Sequence, residues 1–378
     1  MAQTGSRYSR TSIETVTKLA IGAYYYPGWH PCPVRDSAFP KGWSEWDLLK
    51  NCTPRFAGHN QPKLPLWGYE NEADPKVFDK KLQAAEAYGI DFFVFASYWS
   101  RGKRLLEGAL DQGFMQAKSR GKVRFALMWA NRMPRKVMPV KDAAARLIDP
   151  SRLVYTDPAD FLEYVRHIAA RYFVQSDYYR VNDACYLSIF DTAFFIRQLG
   201  PEGAAQAIND ARAHLAGQSL KLHLVAIDPI PEHRPLLKQI GFDSVTHYVF
   251  LPDWSGPYHQ DFSECAREKA AIWQEYQPET GLPYVPSVTP GWDASPRAAD
   301  YGKEKPGRYP WSPVLTGCSP EKFAEFLRLA KTFAIEHSQF FEPTVMISSW
   351  NEWTEGHYLE PDKKHGYAWL EAVRSVHG

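Results

Sequence analysis

Short runs of apolar, β-branched or aromatic residues alternate with amphipathic helical segments eight times along this chain of 378 residues. A strand followed by a helix and then another strand builds parallel sheet, whose strands are buried on both faces and carry few polar positions. The strands are predicted at 21–25, 91–95, 123–128, 184–190, 220–227, 244–249, 284–288 and 345–348. Pro286 weakens the seventh, because proline cannot donate to a ladder. Helical spacing covers 77–88, 105–117, 158–173, the stretch after 190 through 215, 232–240, 262–276, 320–337 and 367–376. Eight such units predict a (β/α)8 TIM barrel, one domain over 20–378 behind a polar tail at 1–19. The competing architecture, a doubly wound open sheet, normally shows a Gly-rich phosphate turn after its first strand. Here that turn is Tyr26-Pro27-Gly28-Trp29-His30, which is not such a turn.

Bulk properties narrow the function. Lys and Arg number 44 against 43 Asp and Glu, so no global field steers the chain to nucleic acid or an anionic membrane. No apolar run is long enough for a transmembrane helix. The polar start, Met1 to Arg10, lacks the apolar core of a signal peptide, leaving a cytoplasmic protein or an exported one without its leader as the two readings. Five scattered cysteines with no CxxC pair argue against structural zinc and a disulfide scaffold. Aromatic residues make up 15% of the chain, including 13 Trp, and many fall in Pro- and Gly-rich connections. Loop aromatics point to ligand platforms more than strand aromatics do.

Connections from helix to strand are short, whereas those from strand to helix are long: 26–76, 96–104, 129–157, 249–260, 289–319 and 349–366. In a barrel the long set gathers at the carboxyl face, where sites are built. These loops bring Tyr26, Trp29, His30 and His59 from the first, Tyr98 and Trp99 from the second, and Trp129 and Asn131 from the third. Asp228 follows the fifth strand, Tyr248 belongs to the sixth, and Trp292 to the seventh loop. His30 and His59 read as hydrogen-bonding groups, since nothing sets a metal spacing, and Asp293 with Arg297 reads as a plain ion pair. The eighth loop carries Trp350-Asn351-Glu352-Trp353-Thr354-Glu355-Gly356 and then Glu360. Two carboxylates three residues apart beside indoles can be split into an acid and a base, because apolar rings and a like charge both disfavour ionisation. Trp faces also stack on the C–H faces of sugars, so the motif reads as carbohydrate chemistry, with no cofactor implied and a carbohydrate as partner. Glu352 and Glu355 are the candidate catalytic pair; Tyr26, Trp29, His30, His59, Tyr98, Trp99, Trp129, Asn131, Asp228, Tyr248, Trp292, Asn351, Trp353 and Glu360 are candidate substrate contacts.

Tyr24-Tyr25-Tyr26-Pro27-Gly28-Trp29-His30, Gly58-His59-Asn60-Gln61-Pro62, Trp67-Gly68-Tyr69, Tyr98-Trp99, 126–131 and the 350–356 motif with Leu359-Glu360-Pro361 resemble, in order, the WbsX-type proteins. Those are related to glycoside hydrolase family 99, the endo-α-mannosidases, through the Asn-Glu-Trp-x-Glu-Gly core and the barrel plan. The resemblance implies that Glu352 acts as base on the sugar's own 2-hydroxyl and Glu355 as acid on the leaving oxygen, then as base on water. A 1,2-anhydro sugar forms and opens with net retention. That geometry needs a 2-hydroxyl trans to the leaving group, as in α-mannosides and α-rhamnosides. Inversion ranks second. A sugar-nucleotide glycosyltransferase and a non-catalytic carbohydrate-binding barrel are the alternative functions.

Overall fold

The computed structural model describes residues 19–37, 39–131, 157–301, 309–338 and 342–377. The polar tail and most of the third loop lie outside them. Eight strands form the main path: β1 Ala20–Tyr25, β2 Phe92–Ser100, β3 Arg124–Trp129, β4 Ala184–Ile189, β5 Leu222–Ile227, β6 Ser244–Thr246, β7 Ser287–Val288 and β8 Thr344–Ile347. All pair in parallel in the order β7-β8-β1-β2-β3-β4-β5-β6. The ring closes between β6 and the start of the seventh segment, where Val245 donates to the Pro283 carbonyl at 2.9 Å and Val285 to the Val245 carbonyl at 2.8 Å. This is the (β/α)8 barrel that the alternation predicts.

Local chemistry sets the elements. Three helices open on the same device, a side-chain acceptor followed by proline: Asp74 before Pro75–Ala87, Asp157 before Pro158–Ile168 and Ser319 before Pro320–Glu336. Each side chain accepts a first-turn N–H, and proline at the first position wastes no donor. Phe92, Phe93, Val94 and Phe95 are all fully buried, as a run without alternation requires. β7 is shorter than its predicted span because Pro286 has no N–H; its carbonyl still accepts from Met346 at 3.0 Å. β6 stops at Thr246, and His247 instead stacks on Phe250 and bonds the Tyr284 hydroxyl at 2.9 Å.

One predicted helix is absent. The stretch 105–117 forms a short strand, Lys103–Leu105, antiparallel to β2, then a π turn at Ala109–Gly113 and a 3₁₀ turn at Phe114–Gln116. Gly113 lies so close to the Glu72 carbonyl that a Cβ would sit 2.1 Å from it, so this segment is pressed against the first loop and distorted. The five cysteines are all free thiols. Among the described residues no helix is long and apolar enough to cross a membrane.

Candidate active site

The 350–356 motif leaves β8 as a tight device. Trp350 N–H donates to the Tyr24 carbonyl at the end of β1, 2.8 Å. Asn351–Glu352 then pairs antiparallel with His357–Tyr358 around a 3₁₀ turn at Trp353–Glu355. Gly356, at φ 74°, closes the turn, and a Cβ there would meet the Asp293 amide nitrogen at 2.8 Å. Asn351 bonds both backbone groups of Tyr26, accepting from its N–H and donating to its carbonyl at 2.8 Å each. The amide thus laces the eighth loop to the first.

Beneath the turn lies a buried ionic cluster. Glu360 accepts the indole N–H groups of Trp350 at 2.9 Å and of Trp353 at 2.6 Å, and pairs with Lys81 at 2.7 Å. Lys81 also pairs with Glu72, which accepts from Asn351 Nδ2 at 2.9 Å and the Tyr25 hydroxyl at 2.7 Å. Burial pushes the Glu72 carboxyl up to about 7 against the pull of Lys81. Both indoles flanking Glu352, and the amide before it, are therefore anchored from below.

Glu352 and Glu355 meet at one guanidinium. Arg297 donates Nη2–H to Glu352 and Nη1–H to Glu355, while its Nε–H reaches the Thr354 hydroxyl at 3.1 Å. The two carboxylates have unequal company. Glu355 also accepts the Tyr309 hydroxyl at 2.9 Å and faces His357 Nε2 at 3.1 Å. The ionised Glu355 carboxylate can only accept, which assigns the His357 proton to Nε2 and leaves Nδ1, 3.2 Å from the Ser349 hydroxyl, as an acceptor. Burial raises Glu355, but Arg297, His357 and Tyr309 outweigh it and hold the carboxyl down to about 2. Glu352 is different: its Oε2 is buried with no hydrogen-bond partner among the described residues. Burial drives its carboxyl well above the ordinary range, Arg297 opposes, and the charges of Glu355 and Glu45 reinforce the rise. The guanidinium favours the charged form of both carboxylates, and the two further donors, Tyr309 and His357, favour that of Glu355 alone, which separates their proton affinities.

Of the predicted contacts, Tyr26, Tyr98, Tyr248 and Trp292 surround this pair. The Arg297 guanidinium lies over the Tyr26 ring at 5.6 Å. Burial and then the Glu352 charge push up the Tyr98 hydroxyl, and the same two causes, with Glu355, push up that of Tyr248. Trp292 stacks on His357 at 5.4 Å and 18°. Asp228 holds the Tyr248 backbone, accepting its N–H at 3.2 Å.

The remaining predicted contacts pack the scaffold. Trp29 is fully buried against Trp46, ring centroids 4.1 Å apart. Trp99 donates to Asp160 at 2.9 Å and Trp129 to the Trp99 carbonyl at 3.3 Å, so these rings brace the second and third loops. Asn131 bonds the Asp191 carbonyl and N–H, at 2.9 and 2.7 Å. Trp353 stacks on Tyr358, and Glu360 spends both oxygens on the indoles. His30 is packed against Gly108; burial and then Arg35 lower it to about 4, so it is neutral. His59 and Gln61 both bond Asp293, at 2.9 and 2.7 Å, which ties the first loop to the seventh. The expected Asp293–Arg297 pair is therefore replaced: Asp293 takes His59, and Arg297 takes the two glutamates.

Glu45 and Tyr309 escape the sequence reading, Arg297 enters it only as a partner for Asp293, and His357, on the eighth loop, is not among the candidate contacts. Glu45 accepts from Tyr26 at 2.9 Å, Arg35 at 3.0 Å and Thr354 at 3.2 Å. A signal for it exists, since Trp43-Ser44-Glu45-Trp46 repeats the spacing of Trp350-Asn351-Glu352-Trp353. Among the described residues no group of three His, Cys, Asp or Glu side chains could hold a metal ion.

Fold and site together define a (β/α)8 barrel with a paired-carboxylate centre at its carboxyl face. Residues 21–373 match the family described as "Glycosyltransferase WbsX", and the chain belongs to that family. It is 29% identical over 389 residues to the "Uncharacterized protein WxcX" of two strains of Xanthomonas campestris pv. campestris, a match covering 98% of this chain and 51% of each relative. The chain thus spans about half the length of the curated relatives it matches. Among solved structures, the GH99 endo-alpha-mannosidase from Bacteroides thetaiotaomicron superposes with TM-score 0.57 at 15% identity, covering 94% of this chain and 96% of that one. A "Glycoside hydrolase-like protein" superposes with TM-score 0.58 at 16% identity, covering 99% and 97%. At these identities the likeness shows a shared fold.

Proposed function

We propose that this chain is a retaining glycoside hydrolase acting on α-manno-configured glycosides. The observation that carries the reading is the buried Glu352–Glu355 pair, forked by Arg297 and held with unequal proton affinity at the mouth of the barrel. The fold shared with an endo-alpha-mannosidase supports the substrate class. In the proposed reaction Glu352 takes the proton of the sugar's 2-hydroxyl as that oxygen attacks the anomeric carbon. Glu355 gives a proton to the departing oxygen, the glycosidic bond breaks, and a 1,2-anhydro sugar remains. Water, deprotonated by Glu355, then attacks the anomeric carbon; the epoxide C–O bond breaks, and Glu352 returns the proton to the 2-oxygen.

The unliganded charge pattern runs opposite to these roles, since Glu355 is the more acidic of the two. In this proposal, an arriving sugar separates Arg297 from Glu355 and leaves the guanidinium on Glu352. The carboxylate that keeps the cation becomes the base, and the one that loses it becomes the acid.

The test is proton NMR of the sugar first released from a panel of α-mannosides, with α-rhamnosides and 2-deoxy analogues alongside. α-Anomer first, no turnover of 2-deoxy compounds, and loss of turnover in both Glu352→Gln and Glu355→Gln are the expected results. β-Anomer first would replace retention by inversion, and full activity in either variant would remove that residue from the mechanism. The family description favours a second reading, transfer from a sugar nucleotide. Stabilisation by a nucleotide sugar in a thermal-shift panel, with no glycoside cleaved, would support it.

A further inference from the structure

A line of aromatic rings leads outward from Glu355. Its carboxylate is bonded by His357 and Tyr309; Trp292 stacks on His357 and lies 6.2 Å from the Tyr309 ring. Trp254 meets Trp292 edge-on, centroids 4.9 Å apart at 87°. Burial changes sharply along the line: Trp292 is 4% exposed, whereas Tyr309 is 44% and Trp254 49% exposed. Two large aromatic surfaces therefore open to solvent beside the acidic end of the site. Trp292 lies beneath these two rings as a buried floor. Trp254 is also held in place. The Gln260 side chain brackets the preceding residue, accepting from the Asp253 N–H at 2.9 Å and donating to the Asp253 carbonyl at 2.7 Å. A side chain presented on a braced loop binds with little ordering cost.

We infer that Trp254 and Tyr309, floored by Trp292, form a binding platform for a sugar ring on the leaving-group side of the scissile bond. The inference rests on the proposed function, which makes Glu355 the group that protonates the leaving oxygen. A flat indole face matches the C–H face of a pyranose. The platform makes sugar–sugar linkages the preferred substrates, ahead of glycosides with a small non-sugar leaving group. Binding to a remote unit contributes to kcat/KM only when that unit is present.

The experiment compares the wild-type chain with Trp254→Ala and Trp254→Phe on two donors, α-mannosyl fluoride and α-linked manno-oligosaccharides. The ratio of kcat/KM, oligosaccharide over fluoride, is expected to fall about tenfold in Trp254→Ala and to recover in part in Trp254→Phe, which keeps a flat face. An unchanged ratio overturns the platform while leaving the hydrolase reading intact. If wild type cleaves neither donor, the hydrolase reading fails separately. The platform is then judged by titrating manno-oligosaccharides against tryptophan emission: weaker binding in Trp254→Ala supports it, and equal or absent binding overturns it.

Discussion

Replacing Arg297 by Met removes a cation that pairs with both candidate carboxylates. In the intact site Glu355 is held at about 2 against an ordinary value of 4.5. At about 1.36 kcal/mol per pH unit, that difference amounts to about 3 kcal/mol of preference for the charged form. Burial opposes this preference and Arg297 is the first group producing it, ahead of His357 and Tyr309. Without the guanidinium, burial, the largest influence on this carboxyl, is opposed only by His357 and Tyr309. The Glu355 titration should then rise past its ordinary value of 4.5, by more than about 2.5 pH units.

The sign of the stability change follows by linkage. In wild type the depressed Glu355 contributes stability that is present above about pH 4.5 and lost as the pH falls toward 2. In Arg297→Met the folded state binds protons more tightly than the unfolded chain, so its stability is greatest at low pH and declines as the pH rises through neutrality. Breaking a buried pair by removing one partner costs about 3–5 kcal/mol, and here that cost should appear mainly at the alkaline end. Carboxyl ¹³C NMR titration, with Glu355→Gln to assign the resonance, reads the first effect; urea unfolding from pH 4 to 8 reads the second. Arg297→Lys should fall between, because an ammonium keeps the charge without the fork. A Glu355 resonance that titrates unchanged in Arg297→Met would refute the assignment of Arg297 as the group that sets the charge of the pair.

Three further outcomes are expected. Lys81→Met strands Glu72 and Glu360 in the interior and should cost about 3–5 kcal/mol in urea unfolding, whereas a loss under about 1 kcal/mol would show that the cluster does not depend on the ammonium. Glu72, raised to about 7, keeps its proton in the folded state between about 4.5 and 7, so wild-type stability should decline across that window; Glu72→Gln should flatten the decline in the same measurement. Gly356→Ala places a Cβ 2.8 Å from the Asp293 amide nitrogen at φ 74°, and should cost about 2 kcal/mol or more and remove turnover by shifting Glu355; wild-type kinetics in this variant would show that the turn can relax.

The barrel was readable because its signals are local. Buried strands show as unbroken apolar runs, and three helix starts carry an acceptor before proline. Segment 105–117 misled because its helical spacing says nothing of the Glu72 carbonyl pressed against Gly113, a contact about forty residues away in sequence. The aromatic residues misled for a related reason. A Trp that braces a loop and a Trp that faces a sugar look alike in sequence. Bracing shows only in the folded contacts: Asp160 takes the Trp99 indole N–H, the Trp99 carbonyl that of Trp129, Glu360 those of Trp350 and Trp353, and Trp29 packs on Trp46.

The same limit governs the two glutamates. Their spacing marks them as a pair but leaves them chemically equal. The asymmetry comes from other loops: Arg297 and Tyr309 from the seventh, which reach one carboxylate with two donors and the other with one. His357 adds a third donor to Glu355 only because Gly356 folds the chain back. Counting donors makes Glu355 the ionised partner at rest, whereas the proposed reaction needs it to hold a proton. Tyr309 and His357 can stay in place through that change, since a hydroxyl rotates to accept and a neutral imidazole tolerates a protonated neighbour. A guanidinium can do neither, being a donor at all accessible pH. In the proposed reaction Arg297 is therefore the element that moves relative to Glu355, and its replacement should alter the pH dependence most.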